Sequence, residues 1–409
     1  MDRINSSMVY PNDWEEKKLG ELGAFLKGKG ISKGDTKETG YPCVLYGEIY
    51  TRHHNYIKQF YSFIDEETAK KSIEIKKDDI LFAGSGETKE EIGKSVAYLD
   101  DSVAYAGGDI IILRTKGINN QYLAYTLNHG KLAIERAKLG QGHSVVHIYS
   151  KELANLSIKL PSKDEQQRIV SILSTWDKAI ELKEKLIEHK KEQKKGLMER
   201  LLTSKQRLKG FEEEWELKKV KDIAEIYLGL TYTPKYVSEG VPFLSVKDLD
   251  GDKLDFSNTK YISREEFESS TSNAKPLKGD ILFGRVGTLG NPIVLNEDMA
   301  FCIFVSLGFL RMKNESSLNY FVKYWMQSNL FKKQIESQVA GSSQKNLNTG
   351  WLKEFELKMP NLNEQKAIVK VLSGMDNEVN LLKQELKLLK QQRQALMQQL
   401  LTGKIRVKV

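Results

Sequence analysis

The chain says almost everything twice. Asp13-Trp14-Glu15 followed by Lys17-Lys18-Leu19 returns as Glu214-Trp215-Glu216 followed by Lys218-Lys219-Val220. Gly40-Tyr41-Pro42 returns as Gly240-Val241-Pro242, and Lys77-Asp78-Asp79-Ile80-Leu81-Phe82 as Lys278-Gly279-Asp280-Ile281-Leu282-Phe283. Leu160-Pro161, then Glu165-Gln166, matches Met359-Pro360, then Glu364-Gln365. These landmarks keep one order, at an offset near half of the 409 residues. A duplication of this length means that whatever the first half folds into, the second half must fold into as well.

Each copy has two parts. The first carries short β-branched and aromatic runs broken by Gly, Asn and Asp: Ile80-Leu81-Phe82, Ile110 to Leu113, Ile281-Leu282-Phe283 and Phe309-Leu310. Such runs read as short strands of an α+β globule. Tyr122 to Ala137 and Tyr320 to Gln338 place apolar residues at three- and four-residue steps, which predicts one helix in each globule.

The second part is a heptad helix. From Glu364 to Thr402 one seam position takes Ile368, Met375, Leu382, Leu389 and Leu396, and the other takes Leu372, Val379, Leu386, Arg393 and Leu400. The earlier copy gives Ile169, Trp176, Lys183, Lys190 and Leu197 with Leu173, Ile180, Ile187, Lys194 and Leu201, a seam with three lysines towards its middle. A sustained period of 3.5 predicts a coiled coil. Lysine stems can cover apolar surface while their heads reach water. A whole globule lies between the two helices, so antiparallel pairing of one with the other is the simplest arrangement. The expected fold is two similar α+β globules separated by two paired helices, a pseudo-two-fold repeat. The expected boundaries are 1–157 and 209–357 for the globules, and 158–208 and 358–409 for the helices. Residues 165 to 202 would make a rod on the order of 57 Å, a span of roughly 17 base pairs of duplex.

Composition supports this without naming a function. Lys and Arg number 63 against 55 acidic residues, a net charge of +8 that favours a polyanionic partner. No apolar run approaches the ~20 residues of a membrane span, and Met1 to Tyr10 lacks the apolar stretch of a signal peptide. Cys43 and Cys302 stand far apart, which argues against a disulfide scaffold or a cysteine zinc site and fits a reducing cytoplasm.

The repeat also tests fragments that imitate catalytic motifs. Phe82-Ala83-Gly84-Ser85-Gly86 matches an F-x-G-x-G loop for S-adenosylmethionine, yet the second copy reads Phe283-Gly284-Arg285-Val286-Gly287 and no Asn/Asp-Pro-Pro-Tyr/Phe tetrapeptide occurs. Gly93-Lys94-Ser95 ends like a phosphate-binding loop, but Thr88 stands where the first glycine belongs and Gly290-Asn291-Pro292 has no lysine. His143 and His147 are spaced like zinc ligands, but Ser144 replaces the glutamate and the second copy has no histidine. Neither catalytic nor metal-binding residues are expected.

What recurs is a set of glycine-rich, polar and basic loops at equivalent places. The candidates for DNA contact are Lys27, Lys29, Lys33, Tyr46, Arg52, His53, Ser85, Thr88, Lys89, Gln141 and His143 in the first copy. In the second they are Tyr232, Lys235, Lys247, Arg285, Thr288, Gln344 and Lys345. Glycine admits close backbone approach, Lys and Arg neutralise phosphates, and Arg, Gln, Ser and Thr offer donors and acceptors to base edges. Ordinary turn chemistry is the competing reading for each residue. The loops differ between copies while the strands agree, so two heads of one fold would read two different sequences.

Leu160-Pro161 through Glu165-Gln166-Gln167-Arg168-Ile169-Val170, with Leu173 and Asp177, resembles the element after a target-recognition domain in type I restriction–modification specificity subunits. Met359-Pro360 through Glu364-Gln365-Lys366-Ala367-Ile368-Val369, with Leu372 and Asp376, repeats it. The endings Leu201-Leu202-Thr203 and Leu400-Leu401-Thr402-Gly403, the Trp14 and Trp215 segments and Gly279 to Phe283 extend the resemblance over essentially the whole chain. It implies a non-catalytic subunit whose two target-recognition domains each read half of an asymmetric, bipartite site in double-stranded DNA. The paired helices would set the unread spacer and dock two modification (methyltransferase) subunits, which bring S-adenosylmethionine. Restriction subunits, ATP- and Mg-dependent translocases, would join them in defence against foreign DNA. Two alternatives stay open: a self-sufficient adenine methyltransferase with a fused recognition domain, and a coiled-coil adaptor.

Overall fold

The computed structural model describes residues 10–271, 275–287, 289–314, 317–339 and 346–408. In the first repeat, Gly23–Lys27, Ile110–Thr115, Asp79–Ala83 and Ser95–Tyr98 form an antiparallel sheet in that order. Its strands are apolar runs because both faces are covered. Ile80, Phe82, Ala97, Ile111 and Leu113 pack on the helical side, while Leu81, Ala83, Val96, Tyr98, Ile110 and Ile112 pack on the other. Beyond that second face lies a sheet ordered Ser62–Ile64, Tyr41–Val44, Ala104–Ala106, Ile73–Ile75, in which Tyr41–Val44 and Ala104–Ala106 run parallel. The second repeat rebuilds the first sheet from Ala224–Leu228, Leu307–Met312, Ile281–Gly284 and Gly290–Val294, with Ile281 and Phe283 facing one core and Leu282 the other.

A buried carboxylate fork recurs at the start of the central strand. Asp79 takes Nε and Nη2 of Arg114 at 2.9 and 2.8 Å, and Asp280 takes those of Arg311 at 3.0 and 2.7 Å.

The single helix expected after each sheet is two helices, Asn120–Asn128 with Gly130–Lys138 and Asn319–Gln327 with Asn329–Val339. His129 is extended and Gly130 is left-handed at φ +62, while Ser328 is extended in the second repeat. Asn128 turns its side chain to Ser95 N and O and so ties the break to the sheet, while Arg136 Nη1 donates to the freed Leu127 carbonyl and Ser328 Oγ to that of Trp325. Periodicity runs across such a break and does not reveal it.

The long helices are Lys163–Leu202 and Leu362–Leu401. The compact units do not follow chain order. The first is Met1–Lys183 with Glu385–Val409, and the second is Glu184–Gln384, so both helices are divided near their midpoints. The cores explain this: Ile169, Leu173, Met397, Leu400 and Leu401 join the first core, and Met198, Leu201, Leu202, Ile368 and Leu372 join the second. All the expected seam residues are buried or half-buried, namely Ile169, Leu173, Trp176, Ile180, Ile187, Leu197, Leu201, Ile368, Leu372, Met375, Val379, Leu382, Leu386, Leu389, Leu396 and Leu400.

The polar seam positions find partners of opposite charge on the facing helix. In the first unit Arg393 meets Asp177 at 2.8 Å and Lys183 meets Glu385 at 2.8 Å. In the second, Lys190 meets Glu378 at 2.6 Å and Lys194 meets Asp376 at 2.5 Å. In both units an advance along one helix is a retreat along the other, so the pairing is antiparallel. The two inner nodes are alike: Tyr125 Oη donates to Asp177 beside Arg393, and Tyr324 Oη donates to Asp376 beside Lys194. Charges at these sites add little stability when wet, but they penalise every other register.

Candidate nucleic-acid interface

In the first unit the parallel strands Tyr41–Val44 and Ala104–Ala106 deliver their following loops to one end of the sheet. Gly107 N donates to Val44 O, Gly108 N to Ile31 O and Gly28 N to Ile110 O, which holds residues 28–36 against that end. Gly28 is needed there because a Cβ would lie 2.0 Å from the Gly107 carbonyl. Its close approach is to the chain itself.

A second set of contacts brings in the remaining loops. Tyr50 Oη donates to Ser85 O at 3.0 Å, and Ser85 Oγ lies 3.0 Å from His147 Nδ1. Ser85–Gly86 pairs with Val146–His147, and Gln141 and His147 exchange backbone hydrogen bonds. The helix Tyr46–Thr51 and residues 84–94 and 141–147 therefore adjoin one another. Lys27, Lys29, Lys33, Tyr46, Arg52, Thr88, Lys89, Gln141 and His143 are exposed. Ser85 and His53 are buried and support the loops from beneath.

Burial first, then His54 and Lys94, lower the His53 imidazole to about 4, and burial with Arg393 and Arg136 does the same to His129. Both are neutral at pH 7, so His53 offers no charge to a phosphate. An unfolded histidine titrates near 6.5, and below that pH the unfolded chain takes up protons that the folded chain refuses. Their contribution to stability is present above pH ~6.5 and is lost as pH falls towards about 4. Thermal unfolding at pH 7.5 and pH 5 should show the first unit losing stability, and the double variant His53→Gln, His129→Gln should flatten that response. An unchanged response in the double variant would refute the assignment.

In the second unit the loops meet around Arg285. Its backbone N donates to Ser306 O and its carbonyl accepts from Leu347 N, while Nε donates to Leu347 O at 3.2 Å and Nη1 to Val305 O at 2.9 Å. Leu230 exchanges backbone bonds with the 303–305 turn, and Val246 N donates to Ser306 Oγ. Arg285 is buried and ties the loops together, whereas the sequence reading placed it against a base. The first unit keeps the same backbone frame at Gly84, which donates to Asp109 O and accepts from Ile148 N, and needs no side chain there. Lys235, Lys247 and Tyr232 are exposed, the last donating to Glu266 at 2.7 Å. Thr288, Gln344 and Lys345 lie outside the described residues.

Two exposed cation–aromatic pairs escaped the loop-based reading. Arg52 stacks 4.9 Å over Tyr61 in the first unit, and Lys260 lies 4.2 Å over Tyr236 in the second. Their partners are separated in sequence, so loop composition could not pair them. Among the described residues no group of three or more His, Cys, Asp and Glu is placed to hold a metal ion. No helix among them is long and apolar enough to cross a membrane. Among the described residues the loops offer exposed cations and hydroxyls in both units and the Gln141 amide in the first, groups suited to phosphates and base edges.

Residues 11–189 and 212–391 each match the family described as the type I restriction modification DNA specificity domain. The MjaVIII type I restriction enzyme specificity subunit of Methanocaldococcus jannaschii is 25% identical over 426 residues, which cover 97% of this chain and 94% of that one. A putative MjaX specificity subunit of the same organism is 27% identical over 431 residues, covering 97% and 95%. Among solved structures, the S subunit of a type I restriction–modification system from M. genitalium aligns over 97% of both chains with a TM-score of 0.58 and 16% identity. A chain from a structure concerned with assembly and conformational transition of the type I R-M system aligns over 97% of this chain and 100% of its own, with a TM-score of 0.60 and 17% identity. At these identities the structures speak for the fold.

Proposed function

This chain belongs to the type I restriction modification DNA specificity family, and from that premise we propose that it is the DNA-recognition subunit of a type I restriction–modification complex. Each unit reads one half of a bipartite, asymmetric site, and the paired helices set the unread gap. The observation that carries this is the contrast within one scaffold: the four-stranded sheet at the centre of each unit recurs strand for strand, while the loop sequences beside it differ. A duplicated binding scaffold with unlike loops reads two unlike half-sites.

Chemistry is left to other chains. Two modification subunits dock on the helices, where Leu182, Leu186, Leu381 and Leu388 are exposed outside the seam. Those subunits supply S-adenosylmethionine, and restriction subunits supply ATP- and Mg-dependent translocation, in the cytoplasm. The chain binds no cofactor of its own.

Affinity for duplex DNA should fall ~10³-fold or more between 50 and 200 mM salt, because several phosphate contacts release counterions. The check is a salt series with the full-length chain. An affinity indifferent to salt would favour the coiled-coil adaptor and end the proposal.

A further inference from the structure

The first unit buries a cation that its twin does without. Arg136 lies in Gly130–Lys138 and is 3% exposed. The corresponding residue of Asn329–Val339 is Ile335, buried in an apolar cluster, so this scaffold closes without a charge at that place. Arg136 Nη1 donates to Leu127 O and to Asn128 Oδ1, both at 3.0 Å. Its Nε is buried with no partner, and among the described residues no carboxylate lies within ion-pair distance of the guanidinium. Burying an unpaired charge is costly, and the repeat shows that the cost is not imposed by the fold.

A second cation stands beside it. Lys94 is half-buried, and its ammonium has one protein acceptor, Tyr50 O at 3.1 Å. Gly93, left-handed at φ +71, lets the backbone lie against the Arg136 stem, where a Cβ would stand 3.2 Å from Cδ. Burial lowers both groups, Arg136 to about 10, and Arg136 lowers Lys94 further. Glu91, exposed on the same loop, is the acid that opposes this, and it forms no ion pair with either among the described residues. Gly93 N and Lys94 N are engaged by Ala83 O and Glu91 O, so the Gly93-Lys94-Ser95 run is no phosphate-cradling loop. It offers charge, directly beneath the Tyr50–Ser85–His147 contacts that assemble the loops.

We propose that Lys94 and Arg136 form a phosphodiester subsite of the first head. Lys94 meets one DNA backbone phosphate beside residues 84–94, and Arg136 stands behind it as an uncompensated charge. The second head, with Ile335, lacks this clamp. The inference rests on the DNA-reading function proposed above.

Arg136 also holds the end of Asn120–Asn128 through Leu127 O, so the test separates donor from charge. Arg136→Gln keeps an amide donor without charge, Arg136→Lys keeps the charge, and Lys94→Gln removes the half-exposed cation. The full-length chain is titrated over a salt series with a duplex carrying the motif found by methylome sequencing, and with two duplexes that each have one half-site scrambled. Arg136→Gln and Lys94→Gln should each weaken binding about tenfold and make the slope of log K against log salt shallower by about 0.9, the value of one phosphate. The loss should persist on the duplex that retains only the first head's half-site and vanish on the other, and Arg136→Lys should restore the slope. Wild-type slopes in both glutamine variants, a loss shared equally by the half-sites, or failure of Arg136→Lys to rescue would overturn the subsite. Should Arg136→Gln unfold, Lys94→Gln decides alone. A wild-type chain that binds no DNA at any salt would bring down the recognition function itself.

Discussion

Glu364→Ala should destabilise the second unit by about 3 kcal/mol, the lower end of the range for breaking a buried ion pair. Glu364 is 1% exposed in the first turn of its long helix. It accepts Arg207 Nε at 2.7 Å, Arg207 Nη2 at 2.8 Å and Trp215 Nε1 at 3.1 Å. The chain leaving one helix and the chain entering the next globule are thus both fastened to the start of the other helix. Alanine leaves a guanidinium and an indole N–H facing the void. Arg207 keeps about a quarter of its side-chain surface in water, which sets the estimate at the low end. For a unit of this size the loss corresponds to a fall in Tm on the order of 10 °C. Calorimetry of the full chain checks it, and a shift below ~2 °C would mean the clamp is ornamental. Glu165 makes the matching fork with Arg406 at 2.7 and 2.8 Å in the first unit, where Arg406 also holds Asp13 at 2.8 and 2.9 Å. Because Arg406 has that second carboxylate and is more exposed, Glu165→Ala should cost less.

The duplication made most of this legible. Landmarks at one offset fixed the repeat, and a period of 3.5 located the helices and a seam whose positions are all at least half-buried. The three lysines that weaken the first seam become intelligible only with the facing acids in view, since Lys183, Lys190 and Lys194 are matched by Glu385, Glu378 and Asp376 far along the chain. Periodicity could not show that each globule's helix is broken at His129 or Ser328, because the hydrophobic face continues through the break. The compact units cut across both helices, since packing is decided by what faces a core and not by order along the chain. Of the residues that loop composition offers for DNA contact, the described lysines are exposed, whereas Arg285, Ser85 and His53 are buried supports. An arginine in a glycine-rich loop looks the same in sequence whether its fork meets a base or the carbonyls of Leu347 and Val305. Arg136 is the converse: it reads as an ordinary helical arginine until burial and the comparison with Ile335 set it apart.

Seven residues inserted into each long helix should lengthen the unread gap of the recognised site by about three base pairs while leaving both half-sites unchanged. The insertions belong between Lys183 and Lys190 and, in the same chain, between Glu378 and Glu385, so that the cross-helix pairs Asp177–Arg393, Lys183–Glu385, Lys190–Glu378 and Lys194–Asp376 survive. A heptad keeps the seam in phase. It adds ~10.5 Å at 1.5 Å per residue, against 3.4 Å per base pair of duplex. Over that length the helices turn by only about 20°, while duplex DNA turns by roughly 100°, so methylation efficiency should fall even as the gap grows. Methylome sequencing of a strain carrying the variant and its modification partner reads both quantities. An insertion in one helix alone slides Asp177 and Lys183 against Arg393 and Glu385 out of step with Lys190 and Lys194 against Glu378 and Asp376, and should abolish methylation through loss of packing. A doubly lengthened chain that methylates sites with the original gap would show that the helices hold the heads without measuring the DNA, and altered half-sites would show that the heads themselves depend on the rod.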